Sequence, residues 1–242
     1  MNDKIQTLQQ LIDSSRRIVF FGGAGVSTES GIKDFRSKDG LYHLHSKYGT
    51  SYEEMLSHTY FFSHTDTFYE FYKEFMVPKG VKPNAAHKFL AKLENNRELT
   101  VITQNIDGLH QLAGSKNVLE LHGSIHRNTC LRCGEHYSLE DIMKLKGTPY
   151  CPKCGGLIKP DVVLYEEGLD QDILRQSIEA ISSADLLIIA GTSLRVYPAA
   201  GLVNYFRGKH IVVINKEPLY LAESVALEIN EPVGEVFSQL HI

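Results

Sequence analysis

Residues 17–25 have the sequence RIVFFGGAG, an apolar run that stops at a glycine-rich turn. Such a run is typical of a buried β-strand, and glycines after it let the backbone approach a pyrophosphate at a helix N-terminus. Thr28 stands where a third glycine would complete the G-x-G-x-x-G fingerprint, and no acidic residue closes a second strand about 20 positions later. The turn therefore indicates a dinucleotide site, but not that of a standard hydride-transferring dehydrogenase.

Short apolar runs of the same kind recur along the chain and alternate with amphipathic stretches. The helical spacing of Leu8, Leu11 and Ile12 leads into the first run. Further strand-like runs occupy residues 99–102, 118–121, 186–189 and 211–214. This alternation predicts an α/β fold, a Rossmann-like parallel sheet with helices on both faces. Each run ends in glycine or polar residues, so we expect these ends to line one site at the carboxyl edge of the sheet.

Two stretches interrupt the alternation and are interpreted as insertions that form a smaller lobe. Residues 37–80 are rich in Tyr, Phe and His and are predicted to form a helical insertion. Residues 126–158 contain the cysteines and are predicted to form a zinc-binding insertion. The remaining residues, 1–36, 81–125 and 159–242, are assigned to the dinucleotide-binding domain.

All four cysteines of the chain lie in two C-x-x-C pairs, Cys130 with Cys133 and Cys151 with Cys154, which 17 residues separate. Two such pairs at this spacing are typical of a tetrahedral zinc site. Glycine follows the second cysteine of each pair, which frees the backbone just beyond the sulfur. Two disulfides or a redox pair are the alternative. We expect one structural zinc ion, because four thiolates leave it no open position for a substrate.

Composition limits the remaining classes of function. The 242 residues are 43% hydrophobic and carry a net charge of −4, which argues against a nucleic-acid binder held by bulk electrostatics. The longest apolar runs are far too short to span a bilayer. Paired cysteines hold metals more often than disulfides inside cells. The sequence therefore predicts a cytoplasmic protein without a membrane partner.

An ordered set of motifs resembles the sirtuins of bacterial type, a family of NAD-dependent protein-lysine deacylases. The motifs are GAGVS at residues 23–27, GIKDFR at 31–36, TQNIDGLH at 103–110, HG at 122–123, the four cysteines, KPDVV at 159–163, GTSL at 191–194 and VIN at 213–215. They extend over nearly the whole chain from about residue 17 to residue 215. Any one motif could arise by chance, whereas the complete ordered set could not.

The resemblance implies a reaction and a set of cofactor contacts. Sirtuins cleave the nicotinamide–ribose bond of NAD and transfer the acyl group of a modified lysine, releasing nicotinamide and O-acyl-ADP-ribose. His122 is then the base for a ribose hydroxyl, a role that suits a side chain titrating near neutral pH. Asn105 orients the ribose and a water molecule, and Phe35 covers the nicotinamide pocket. The other cofactor-binding residues implied are Ala24, Thr28, Asp34, Arg36, Gln104, Ile106, Asp107, Thr192, Ser193, Asn215 and Val233.

The resemblance also implies that an acyl-lysine peptide enters as an extended strand between residues 163–166 and 194–196, with Val163 beside the acyl-lysine. Sirtuins that remove acidic acyl groups carry a tyrosine and, three residues later, an arginine. Here Tyr72 and Phe75 occupy the matching positions, so neutral acyl groups, chiefly acetyl, are expected. Glu166 stands where the family often has glycine, and a carboxylate at this rim could favour basic flanking residues.

Two other functions compete with the deacylase. A protein mono-ADP-ribosyltransferase can be built on the same fold, but the presence of His122, Asn105 and Val163 favours deacylation. A non-enzymatic zinc-ribbon module that binds nucleic acid would need a basic surface. Residues 126–159 instead mix acidic with basic side chains.

Overall fold

The computed structural model describes residues 2–34, 48–219, 221 and 224–242. Its helices are α1 (Asn2–Ser14), α2 (Tyr52–Met55), α3 (His58–Ser63), α4 (Thr65–Phe71), α5 (Ala85–Leu93), α6 (Leu109–Ala113), α7 (Leu139–Lys144), α8 (Gln171–Ser183) and α9 (Val233–Phe237). Its strands are β1 (Arg17–Gly22), β2 (Glu98–Thr103), β3 (Val118–Glu120), β4 (Gly123–Cys130), β5 (His136–Ser138), β6 (Ile158–Val162), β7 (Leu186–Ala190), β8 (His210–Ile214) and β9 (Leu227–Ile229). No helix in these residues is both long and apolar enough to cross a bilayer.

Six parallel strands form the main sheet in the order β3-β2-β1-β7-β8-β9. The predicted α/β fold is therefore confirmed, and each predicted strand-like run lies in one of these strands, except that the run 118–121 extends one residue beyond β3. The chain order reverses between β1 and β7, which is where a doubly wound sheet opens a crevice for its ligand. The glycine turn after β1 lies at that crevice.

Both faces of the main sheet are buried, as the continuous apolar runs predict. Phe20 and Ile188 belong to the core beneath α1, α5 and α9, whereas Phe21 and Ile189 belong to the core beneath α8. Neighbouring residues of a strand point to opposite faces, so each run supplies both cores in turn. The central strands are therefore fixed in register, and so are the polar turns at their ends.

The smaller lobe combines a helical part with an antiparallel sheet of order β5-β4-β6. Its helical part packs an aromatic core that includes Phe61, Phe68 and Tyr69. The pairing of β4 with β6 extends from Gly123 opposite Val162 to Cys130 opposite Ile158. Its register shifts between Ser124 and Asn128. The small sheet thus continues beyond the predicted insertion 126–158 at both of its ends, into residues 123–125 and 159–162.

Two side chains of the helical part hold the zinc-binding part. Lys73 donates from Nζ to the carbonyl oxygens of Leu145 and Gly147, at 2.7 Å each. The hydroxyl of Tyr69 donates to the carbonyl oxygen of Ile158. The helical part and the zinc-binding part therefore pack together as one lobe, although they are far apart in sequence.

Candidate active site

A cavity of about 450 Å³ lies at the carboxyl ends of β1, β2, β7 and β8. Most of the residues predicted to bind the cofactor or to catalyse the reaction line it. These are Ala24, Thr28, Asp34, Gln104, Asn105, Ile106, Asp107, His122, Thr192, Ser193, Asn215 and Val233. Phe35 and Arg36 lie outside the described residues. The sequence therefore identified one edge of the sheet as the site.

Backbone and glycine form the floor of the cavity where the turns after β1 and β7 meet. The N–H of Gly25 donates to the carbonyl oxygen of Gly191 at 2.8 Å. A Cβ atom on Gly25 would lie 2.7 Å from the Cα of Gly191, and Gly191 itself has a positive φ of 57°. Only glycine fits at these two positions. The backbone of these two turns is therefore exposed to the cavity without intervening side chains.

Gln104 connects the two turns and orients His122. Its side-chain amide donates from Nε2 to the hydroxyl oxygen of Thr192 at 3.1 Å. Its backbone carbonyl oxygen lies 2.9 Å from Nδ1 of His122. A carbonyl oxygen only accepts, so Nδ1 carries the proton of the neutral ring and Nε2 is left with its lone pair. Burial lowers the pKa of His122, and the bond to Gln104 partly opposes that shift. Burial therefore favours the neutral ring of His122.

Ser27 joins Asn105 to Asp107, the two polar side chains after β2. Its hydroxyl donates to Oδ2 of Asp107 at 2.7 Å and accepts from Nδ2 of Asn105 at 3.1 Å. The backbone N–H of Leu109 donates to Oδ1 of Asp107 at 2.9 Å. Burial raises the pKa of Asp107, while these two donors lower it. The sequence analysis assigned cofactor contacts to Asn105 and Asp107 but no role to Ser27, whose position just after the glycine turn was the available signal.

The Asn105–Asp107 segment is also held from the side of the small lobe. The carbonyl oxygen of Asp107 accepts from Nε2 of His126 at 2.9 Å, and the carbonyl oxygen of Ile106 accepts from the N–H of Ile125 at 3.1 Å. Both donors belong to β4. The geometry of the segment therefore depends on the small lobe as well as on the main sheet.

Two of the three predicted substrate residues lie at the wall of the cavity on the small-lobe side, and the third does not. Val163 lines the cavity, and its N–H donates to the carbonyl oxygen of His122 at 2.9 Å. Phe75 also lines the cavity, but Tyr72 is only 1% exposed and its ring stacks on Phe68 at 5.8 Å. Tyr72 and Phe75 lie in a π-helical turn, Tyr72–Met76, whose wider winding separates the directions of side chains three residues apart. The pairing of Tyr72 with Phe75 at the acyl group is therefore not supported.

The four cysteines converge at the far end of the small sheet. Their Sγ atoms all lie within 4.8 Å of one another, and two of the separations are 3.5 Å (Cys130 to Cys154) and 3.7 Å (Cys133 to Cys151). A tetrahedron with Zn–S bonds of about 2.3 Å has S–S edges of about 3.8 Å, so the four sulfurs fit one zinc ion. The hydroxyl of Tyr137 lies 3.0 Å from Sγ of Cys151 and lowers the pKa of that thiol to about 6, which favours the thiolate.

Comparisons with known proteins agree with this site. A protein-family model described as the Sir2 family matches residues 23–198. A protein called NAD-dependent protein deacetylase from Clostridium acetobutylicum is 56% identical over 236 residues, which cover 97% of this chain and 96% of that protein. The protein of the same name from Clostridium perfringens is 53% identical over 242 residues, with 99% of both chains covered.

Solved structures are similar over the same extent. A Sir2 variant with a deacetylated p53 peptide and 3′-O-acetyl ADP ribose has a TM-score of 0.87 and 40% identity, covering 97% of this chain and 96% of that one. Sir2Tm bound to a propionylated peptide has a TM-score of 0.85 and 39% identity, covering 98% and 96%. The fold and the whole length of the chain are therefore shared with these proteins.

Proposed function

The chain belongs to the Sir2 family, and from this premise we propose that it is an NAD-dependent protein-lysine deacetylase that releases nicotinamide and O-acetyl-ADP-ribose. The observation that carries the proposal is the neutral ring of His122. Its Nε2 is available as an acceptor in the cavity whose floor is formed by the glycine turns. This arrangement offers a base beside a dinucleotide site, as the reaction requires.

His122 acts as the general base in this proposal. NAD, when bound, supplies the ribose hydroxyl and the carbon that accepts the acyl oxygen. Nε2 of His122 takes the proton of that hydroxyl, and the bond from Nδ1 to Gln104 keeps the ring in the required tautomer. In this proposal Val163 lies beside the acyl-lysine. Its N–H is bonded to the carbonyl oxygen of His122, which keeps the two residues at the same wall.

Asn105, Ile106 and Asp107 hold the nicotinamide carboxamide and the adjacent ribose. The hydroxyl of Ser27 fixes the relative orientation of the Asn105 amide and the Asp107 carboxylate. A carboxylate held in this way is a ready acceptor for the amide of nicotinamide. Ser27, Asn105 and Asp107 therefore act as one hydrogen-bonded unit.

The remaining contacts are proposed along the floor and the far half of the cavity. Ala24, Thr28, Asp34, Gln104, Thr192, Ser193, Asn215 and Val233 line the cavity where phosphates, riboses and adenine would lie. Phe35 and Arg36 keep the roles that the family resemblance implies for them. The four cysteines hold one structural zinc ion.

The division of the chain is proposed with the boundaries given by the sequence, 1–36, 81–125 and 159–242 for the NAD-binding domain, with insertions at 37–80 and 126–158. A cytoplasmic location is also proposed. The four cysteines support it, because they converge as separate thiols suited to a metal, an arrangement typical of reducing compartments.

The activity is tested by incubating the protein with NAD and an acetyl-lysine peptide. We expect nicotinamide release that depends on the acetyl group, in a one-to-one ratio with deacetylated peptide. The mono-ADP-ribosyltransferase alternative predicts instead that ADP-ribose becomes attached to a protein while acetyl-lysine remains intact. Mass spectrometry of peptide and protein separates the two results, and nicotinamide release that ignores the acetyl group would contradict the proposal.

Replacing Ser27 by alanine is expected to lower kcat/KM for NAD by about 10- to 100-fold. A hydrogen bond to a charged group contributes about 1.5–3 kcal/mol, and the Asp107 carboxylate loses one such donor. Steady-state kinetics at saturating acetyl peptide measure the change.

Ser30→Ala is the matched control, because the buried hydroxyl of Ser30 has no hydrogen-bond partner among the described residues. It should retain nearly the parental kcat/KM. Equal losses in the two variants would mean that Ser27 does not organise Asn105 and Asp107.

Replacing Phe75 by arginine is expected to raise the ratio of desuccinylation to deacetylation by about tenfold or more. The parent wall around Phe75 and Met76 is apolar, so a succinyl carboxylate there stays unpaired, whereas an arginine would pair with it. The measurement is kcat/KM on matched acetyl and succinyl peptides.

Phe62→Arg provides the control, since Phe62 is 49% exposed and is not among the residues that line the cavity. A parent enzyme that prefers succinyl-lysine, or a ratio that Phe75→Arg leaves unchanged, would exclude Phe75 from the acyl site.

A further inference from the structure

Arg195 is a cation on the wall of the substrate cleft. It lines the cavity and is exposed, and no side chain in the described part of the chain pairs with its guanidinium. The backbone before it is fixed, because the N–H of Leu194 donates to the hydroxyl oxygen of Thr192 at 3.2 Å and Thr192 in turn accepts from Gln104. The position of Arg195 is therefore tied to the catalytic residues.

Two neighbouring carboxylates, Glu166 and Glu167, also line the cavity, and Glu167 is paired with groups of the protein itself. Glu167 pairs with Lys159 at 3.0 Å, accepts from the N–H of Leu164 at 2.9 Å and lies 3.0 Å from Nδ1 of His58. Lys159 is only 13% exposed, so this pair is partly shielded from water. The negative charge of Glu167 is therefore compensated by Lys159 and is not available to pair with a substrate.

Glu166 is engaged in a different way. Its Oε2 accepts from the N–H of Thr59 at 2.9 Å and from the hydroxyl of Thr59 at 2.7 Å. Thr59 lies in the first turn of α3, so the carboxylate is held by donors of the small lobe and by the favourable end of the helix dipole. The pKa of Glu166 is lowered by these two bonds. Because these donors are neutral, Glu166 stays charged, but its Oε2 is held against α3.

We propose that the cleft selects acyl-lysine peptides with an acidic side chain beside the acyl-lysine, and that Arg195 is the residue that recognises it. The inference rests on the proposed deacetylase function and adds a substrate class to it. An arginine pairs with a carboxylate through two parallel hydrogen bonds, which fix the relative orientation of the two groups. The charge of Arg195 thereby finds its partner on the substrate.

The test uses one acetyl-lysine peptide in three forms, with Glu, Gln or Lys at the positions that flank the acetyl-lysine. For the parent protein at low salt we expect kcat/KM to be about 2- to 5-fold higher for the Glu peptide than for the Gln peptide, the range typical of one exposed ion pair. Arg195→Gln should bring the Glu-to-Gln ratio close to one. High salt should do the same to the parent, because it screens exposed charges.

Arg207→Gln is the matched control. It makes the same change of charge at an exposed arginine, which donates to the carbonyl oxygens of Asn204 and Phe206 and is not among the described residues that line the cleft. It should keep the parental preference. A second measurement, binding of fluorescent peptides to the parent and to Arg195→Gln, gives the same comparison without turnover.

The possible results separate this inference from the function on which it rests. No turnover and no binding of any acetyl peptide would contradict the deacetylase itself. Turnover at equal rates for the three peptides, or a preference for the Lys peptide, would overturn the role of Arg195 and leave the deacetylase standing. A rise in KM for NAD in Arg195→Gln with an unchanged peptide ratio would assign the guanidinium to the cofactor and likewise overturn the proposal.

Discussion

Replacing His122 by alanine is expected to lower kcat for deacetylation by about 10²- to 10⁴-fold, the usual contribution of a general base. The loss should leave the melting temperature and the zinc content almost unchanged, because the ring lies at the cavity and the four cysteines lie at the far end of the small sheet. Rapid-mix or steady-state assays at saturating NAD and peptide measure the effect.

The acid side of the pH profile gives a second measure of the same residue. His122 must be neutral to accept a proton, and burial lowers its pKa from the ordinary value of about 6.5. We therefore expect kcat/KM of the parent to hold as pH falls from 8 to about 6.5 and to decline only below that. His241→Ala, at an exposed histidine near the C-terminus, should behave as the parent. Equal turnover of His122→Ala and parent would remove His122 from the mechanism.

Replacing Cys130 or Cys154 by serine is expected to cost several kcal/mol of folding free energy, because structural zinc sites contribute about 10–16 kcal/mol of apparent binding energy to small folds. For a domain of this size each kcal/mol lowers the melting temperature by about 2–4 °C, so we expect a drop of about 10 °C or more. The parent should contain one zinc ion per chain, and the variants substantially less. Calorimetry and metal analysis on the same samples test this.

Lys153→Gln is a suitable control, because Lys153 lies between the second pair of cysteines but points into solvent with a 63% exposed side chain paired to Glu135. It should retain its zinc and lose at most about 1 kcal/mol. Absence of zinc from the parent, together with parental melting of the serine variants, would refute a structural metal.

The main sheet could be predicted well because burial on both faces leaves a direct record in the sequence. Each central strand is a nearly unbroken apolar run, and each such run is a strand in the structure. Strand β9 left no such record. It has three residues, Glu228 interrupts it, and its position at the sheet edge depends on pairing with β8 and on a bond from Lys4 to the carbonyl oxygen of Glu228.

Site residues that follow a strand could be predicted from the sequence. Site residues whose role depends on contacts with distant parts of the chain could not. His122 and Asn105 come directly after strand-like runs, so their edge of the sheet was implied. The role of Ser27 depends on bonds to residues 78 and 80 positions away, which no local pattern reports. The direction of Tyr72 depends on a π-helical turn, and the sequence Tyr72–Met76 gives no helix-breaking residue to mark it.

The antiparallel pair β4 and β6 connects the two ends of the small lobe directly. One end of this ribbon holds the backbone of His122 and Val163, and the other holds Cys130 among the metal ligands. The metal and the acyl peptide therefore act on the same ribbon, although neither would touch the other. If zinc favours the ordered ribbon, thermodynamic reciprocity requires that a ligand which needs that ribbon retains zinc by the same factor. In that case a metal that takes no part in the chemistry shares its free energy of binding with the substrate, and protein depleted of zinc binds its peptide more weakly.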